Sequence, residues 1–276
     1  MDMNTNGNTY TIIYTTIIVT LVAAILAFVS QSLKSKQEAN EKADTISQML
    51  TAAQFATKAD LQKMGNTAVL AKYAEEIGEA FTVGTDGKKI SDINLDEVFS
   101  PKELKKQNYK IKDGSDAEIP VFIFKNGVTV VPVYGAGLWG PVWGYIAFEP
   151  SSNTIKGAYF DHESETAGLG AKIKDDPEFQ AEFIGENADF STSNVFDIVK
   201  GGAPRNADGA SVIDNKIDAI TGATMTSNGL DAAIDTWLGA YAAYFKGAAP
   251  SSDCCCEGDA CEEDMSCCDD KKTEEE

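Results

Sequence analysis

No charged side chain occurs between Met3 and Leu33, and within that stretch Thr11–Val29, TIIYTTIIVTLVAAILAFV, is an almost unbroken apolar run. At about 1.5 Å per residue, a helix over this run covers roughly 28 Å, close to the hydrocarbon thickness of a bilayer. A cleaved secretory signal needs basic residues before the run and small residues at a cleavage point. Here only Asp2 precedes it and FVSQSLKSKQ follows. The preferred reading is therefore a single membrane anchor over residues 1–33, ahead of a signal peptide or a buried core helix. Lys34, Lys36 and Lys42 follow the span and nothing basic precedes it. Counted by the positive-inside rule, that asymmetry places the rest of the chain in the cytoplasm.

The remaining chain is long enough for a sizeable core, and the 43% apolar content of the 276 residues excludes wholesale disorder. A net charge of −20 argues against a nucleic-acid partner, since phosphate backbones are bound by clustered Lys and Arg. Residues 251–276 hold eleven acids against two lysines, and all six cysteines lie there: Cys254, Cys255, Cys256, Cys261, Cys267 and Cys268. The body of the chain thus folds without disulfides, and segment 247–276 is expected to be a disordered acidic tail. Clustered thiolates are donors for soft metals. The spacing CCC-x4-C-x5-CC matches no zinc pattern, however, and no histidine is near, so a solvated appendage is the preferred reading.

Between anchor and tail the periodicity changes once. Residues 34–118 read as a juxtamembrane helical region: a polar helix leaving the membrane, a turn at GTDGKK, and short helical pieces divided by Pro101. From Ile119 the period becomes 2. IPVFIF and VTVVPVY flank Lys125-Asn126-Gly127, and VWGYIAF and TIKGAYF flank a turn at Pro150–Asn153. These are hairpin signals, and four strands in close succession imply an antiparallel sheet. A last helix, from about Ser227 to Phe245, has Leu230, Ile234, Trp237, Leu238, Tyr241, Tyr244 and Phe245 at helical spacing, facing that sheet. The fold class expected is α+β, with an antiparallel-sheet core over 119–246 and packed helices.

Three stretches exceed what packing requires. YGAGLWGPVWG, 134–144, places glycines and tryptophans between strands, where backbone and flat apolar surface can approach a ligand. DHESETAGLG, 161–170, sets Glu165 and Thr166 beside a Gly-Leu-Gly turn. Its His162 is the chain's one histidine and is read as structural. TGATMTSNG, 221–229, crowds hydroxyls before the last helix. Thr226 or Ser227 serves there as an N-cap, and the helix's unpaired amides and dipole favour phosphate. No Ser/His/Asp order or metal-spaced cluster is present, so neither a catalytic residue nor a metal site is assigned.

The order Asp218-x-x-Thr221-Gly222-Ala223-Thr224 resembles the flavinylation motif of FMN-binding subunits in membrane respiratory complexes. Gly137-Leu138-Trp139 and the ETxGLG of Glu165–Gly170 occur in the same order as in the C-subunit family of Na+-translocating NADH:quinone reductases. The resemblance runs from residue 10 to about 246 and leaves the tail out. It departs from the family pattern at Ala167, where Pro is usual, and at Gly140, where Ser is common. It implies FMN joined as a phosphoester to Thr224 by a flavin transferase, with Asp218 and Thr221 as recognition positions. Gly222 and Ala223 then lie beside the phosphate. Leu138, Trp139, Glu165, Thr166, Gly168, Leu169 and Gly170 are implied as walls for the ring.

The implied role is electron carriage from NADH towards quinone within a sodium-exporting complex, inactive without its other subunits and seated in membrane lipid. NADH is expected to bind elsewhere, the chain being read as lacking a nicotinamide fingerprint. The family places the flavin domain on the periplasmic side of a bacterial inner membrane, against the lysine count, and its four ordered motifs outweigh three lysines. Two alternatives remain: the equivalent flavin subunit of the ferredoxin:NAD oxidoreductase complex, and an anchored metal-binding surface module without flavin.

Overall fold

A computed structural model of the chain describes residues 7–94, 99–203 and 214–248; the acidic, cysteine-rich tail lies outside the described residues. The apolar run lies in α1 (Asn8–Ala52), one continuous helix of 45 residues. Its most apolar 18-residue window has a mean hydropathy of 2.6 with no residue buried, so α1 is long and apolar enough to cross a membrane. Only its last turns, from Ala43 onward, are buried in protein. Helices α2 (Lys58–Met64) and α3 (Asn66–Glu76) fold back beside them.

Next come β1 (Ile77–Val83), β2 (Lys89–Asp92), α4 (Pro101–Asp113) and four strands, β3 (Ile119–Phe124), β4 (Thr129–Ala136), β5 (Pro141–Phe148) and β6 (Ile155–His162). These strands form one antiparallel sheet in the order β2-β1-β3-β4-β5-β6. Short helices α5 (Lys172–Asp175) and α6 (Pro177–Ala181), a parallel pair β7 (Asp197–Val199) and β8 (Lys216–Asp218), and α7 (Thr224–Ala248) complete the described chain.

The expected hairpins stand at both turns. In the first, the Gly127 amide donates to Phe124 O at 2.8 Å. The helical reading of 34–118 is corrected at β1 and β2. AEEIGEAF carries apolar residues at spacings that suit either period. What decides for a strand is the antiparallel pairing of Ile77–Val83 with β3, which buries Ile77, Ala80, Phe81 and Val83. Pro101 does not divide helical pieces but opens α4. A capping box between Ser100 and Glu103 satisfies the first amides there, where proline's missing N–H is no loss.

Both faces of the sheet are covered, which explains the near-continuous apolar strands. Residues alternate between two cores: Val131, Val133, Ile146, Phe148 and Phe160 meet α7, whereas Val130, Tyr145, Ala147 and Tyr159 meet the end of α1 with α2 and α3. On α7, Leu230, Ile234, Trp237, Leu238 and Tyr241 are fully buried. Their polar atoms are matched: Trp237 Nε1 donates to Asn108 Oδ1 at 3.1 Å and Tyr241 Oη to Pro120 O at 2.7 Å.

On the opposite face a polar knot holds α1. Gln48 donates to Asp161 Oδ2 at 3.1 Å and accepts from Trp143 Nε1 at 3.2 Å, while Lys174 pairs with the buried Asp161 at 2.8 Å. Asp161 stands one residue before the end of β6, where the loop carrying Glu165 departs. The anchor helix is thus fixed to the strand that leads into this loop.

Asn108→Ala strands the buried Trp237 indole N–H, and an unmet buried donor costs about 1–3 kcal/mol. The variant is expected to unfold at lower urea concentration. The double variant with Trp237→Phe, which removes the orphaned donor, should lose less than the sum of the two single changes, as measured by a double-mutant cycle.

Candidate functional site

The three motif stretches converge at one end of the sheet. The turn between β4 and β5 is closed by the Gly137 amide donating to Gly140 O at 2.8 Å, and it leaves Leu138 and Trp139 projecting at 49% and 67% exposure. The loop after β6 folds onto it, with Ser164 Oγ donating to Trp139 O at 3.0 Å. That loop then closes on itself through Leu169 and Ala171 amides, both donating to Thr166 O, with Gly168 in the left-handed region at φ +75°. The third stretch is a tight turn, Ile220–Ala223, with Gly222 at φ +85°, the positive value that a type II turn needs at its third position.

Helix α7 starts straight from this turn. Its first i→i−4 bond runs from the Ser227 amide to Ala223 O at 2.9 Å, so the amides of Thr224, Met225 and Thr226 have no acceptor within the helix. The expected N-cap at Thr226 or Ser227 is corrected: the helix begins earlier, at Thr224, and both hydroxyls are already inside its first turn. Ser227 Oγ instead accepts from the Ile220 amide at 3.1 Å, which stitches the turn to the helix. Thr226 Oγ1 donates to Glu165 Oε2 at 2.6 Å.

Glu165 joins the three stretches. It is 8% exposed, and its Oε1 accepts from the Trp139 amide at 2.9 Å while Oε2 accepts from Thr226. Its own amide donates to His162 Nδ1 at 3.1 Å, which is the structural role expected of that histidine. Side chains at Gly137 and Gly170 would collide with the carboxylate: a Cβ on Gly170 would stand 2.5 Å from both Glu165 Oε2 and Thr226 Oγ1.

Around this clasp lies a cleft of about 180 Å³ lined by Leu138, Glu165, Thr166, Leu169, Gly170, Gly222, Ala223, Thr224, Met225 and Thr226. All but the last two of these positions are those implied for the flavin from the sequence. Trp139 and Gly168 sit on the same loops but do not line the cleft. Asp218, at the end of β8, turns its carboxylate to the Ala203 amide, and Thr221 is solvent-exposed. Met225 and Thr226 are lining residues that sequence reasoning missed. Their one signal in the sequence is position, directly after Thr224.

No lysine or arginine lines the cleft among the described residues. Of the four hydroxyls of the stretch, those of Thr226 and Ser227 are buried and engaged. Thr224 is half-buried on the cleft wall, its hydroxyl free of hydrogen bonds among the described residues. An apolar wall, the unpaired amides of a helix start and a free hydroxyl suit a flat ring with a phosphate tail. The spacing Gly135-x-Gly137-x-x-Gly140 does match a dinucleotide fingerprint in form, contrary to the expectation from sequence. That fingerprint works only between a strand and a helix, however, and here it joins two antiparallel strands.

Larger hollows, of about 670 and 430 Å³, lie where α1 meets the sheet and share none of the motif residues that line the cleft. A separate acidic group forms where Asp197, Asp231 and Asp235 bring carboxylate oxygens within 4.8 Å of one another. Two of them have structural tasks: Asp231 accepts from the Ile198 amide at 2.6 Å and Asp235 from Phe196 at 3.4 Å, so α7 supports β7. Burial raises the Asp235 carboxyl from 3.8 to about 6, and the Phe196 amide only partly opposes it. The proton it retains favours the folded chain fully below about pH 4, and this contribution is lost as pH rises through about 6. Asp235→Asn is therefore expected to gain stability over the parent at pH 7 and not at pH 4, read from urea midpoints at the two pH values.

The sequence model of the FMN-binding domain family matches residues 137–239, from the first of these loops into α7. The C subunit of the Na(+)-translocating NADH-quinone reductase of Vibrio campbellii is 29% identical over 223 residues, covering 75% of this chain and 81% of that protein. Its counterpart from Vibrio parahaemolyticus is 30% identical over 224 residues with the same coverage. The crystal structure of the corresponding protein from Parabacteroides distasonis superposes with a TM-score of 0.60 at 30% identity, over 77% of this chain and 96% of that one.

Proposed function

This chain belongs to the C-subunit family of Na(+)-translocating NADH-quinone reductases, and on that footing we propose that it is the flavoprotein subunit of such a complex, carrying FMN as a phosphoester on Thr224. The relatives matched over three quarters of the chain favour the quinone reductase over the ferredoxin:NAD oxidoreductase complex and over a flavin-free metal module. The observation that carries the attachment point is the state of the hydroxyls. Thr226 and Ser227 are committed to internal bonds, whereas Thr224 stands free on the cleft wall at the first position of α7.

Bound FMN supplies the redox chemistry, and the protein positions it and tunes its potential. The first-turn amides of α7 hold the phosphate end, favoured by the helix dipole. Leu138, Leu169 and Met225 give apolar contact to the ring, and the turn at Thr166–Gly170 brings backbone against it. Among the described residues the lining offers a phosphate helix amides and no cation, and an ester would hold it without one. Asp218 and Thr221, which lie outside the cleft, are assigned to recognition by the flavin transferase. The cleft is smaller than the roughly 300–1,000 Å³ of sites that enclose a whole ligand. On this reading, bound flavin would pass electrons on the path from NADH towards quinone.

Helix α1 anchors the subunit once in a bacterial inner membrane, with the flavin domain on the periplasmic side. Labelling of the tail cysteines in intact cells by a membrane-impermeant thiol reagent, after reduction, is the expected result; labelling only after lysis would reverse the orientation. For the attachment itself, the chain made with its flavin transferase should give a denatured gel band that fluoresces under ultraviolet light. Thr224→Ala should abolish this fluorescence and Thr224→Ser should retain a part of it. A dark band from the parent chain would end the reading.

A further inference from the structure

The Glu165 carboxylate is nearly buried in the wall of the cleft, and both of its oxygens are engaged by protein donors on two other segments: the Trp139 amide at 2.9 Å and the Thr226 hydroxyl at 2.6 Å. A side chain at Gly137 or Gly170 would collide with it. Among the described residues, no lysine or arginine lines the cleft beside it. A carboxylate so placed has two effects that a neutral group of the same shape would not combine.

We propose that Glu165 is a positioning residue for the flavin: it clasps the Leu138–Trp139 turn to the first turn of α7, and its fixed charge lowers the reduction potential of the bound cofactor. The clasp rests on the reading of FMN at Thr224. Thr226 lies two residues after the acceptor, so the bond to Glu165 holds the acceptor turn against the loop that faces the ring. An added electron beside a negative charge is disfavoured, and more so at low local dielectric. The charge therefore holds the potential down, and removing it raises the potential.

Two variants separate the effects. Glu165→Gln keeps an acceptor for the Trp139 amide and presents an N–H to Thr226 Oγ1, so the clasp persists and the charge is lost. Thr226→Val keeps the charge and removes the link to α7. Each full-length chain is produced with the flavin transferase. Attachment is read from the fluorescence of the denatured band, and the midpoint potential from a spectroelectrochemical titration of the flavin-bearing chain. Flavin-bearing Glu165→Gln is expected to show a more positive potential than the parent. Thr226→Val is expected to carry several-fold less flavin, with the potential of the residual flavin near the parent's.

An unchanged or more negative potential in the flavin-bearing Glu165→Gln chain would overturn the charge effect. Parent-level attachment in Thr226→Val would overturn the clasp. A parent chain without fluorescence, or a fluorescent Thr224→Ala chain, would instead sink the flavin reading itself, and these outcomes are read on the same gel.

Discussion

Three segments far apart in sequence meet at the Glu165 carboxylate, and the cleft exists because they do. A carboxylate that gives up water must find hydrogen-bond donors, or it costs the fold several kcal/mol. Here the donors are a backbone amide on the turn after β4 and a hydroxyl on α7. The requirement runs both ways, since neither the turn nor the helix start can move off without leaving a charge unpaired. Gly137 and Gly170 follow from the same constraint, because any side chain there would occupy the space of the carboxylate.

The sheet makes this meeting reproducible. With α7 on one face and the end of α1 on the other, strands β3 to β6 are buried on both sides, and the loops at one end inherit that rigidity. The knot of Gln48, Trp143, Asp161 and Lys174 carries the constraint to the anchor. Removing Lys174 would leave the buried Asp161 without its cation, which is the costly way to lose an ion pair. The position of the site relative to the anchor helix is therefore set by packed secondary structure rather than by a flexible tether.

Electrostatics in the cleft differs from that of most phosphate sites. Arginine or lysine commonly meets a phosphate; among the described residues the lining offers helix amides and hydroxyls, with a carboxylate close by. Such an arrangement suits a phosphate held by a bond rather than by charge. On the proposed reading, it also sets one negative charge, that of Glu165, beside the flavin.

Much of the plan is legible in the amino-acid sequence, because the relevant signals are local. The uncharged run to Leu33, the period-2 strands about Lys125–Gly127 and Pro150–Asn153, and the helical spacing from Leu230 to Phe245 each follow from backbone geometry and one neighbour's needs. The order of the GLW, ETxGLG and TGAT motifs pointed to the family. Tertiary structure alone decided the rest. Ile77–Val83 is a strand because β3 offers an open edge, and the polar end of α1 is buried because β5 and β6 present Trp143 and Asp161 to it. Thr226 looked like a cap in sequence and proved to be a partner of Glu165, 61 residues away. Caps, turns and periods are short-range and can be read along the chain. Which buried group receives which hydrogen bond depends on what packing brings within about 3 Å, and no spacing along the chain encodes that.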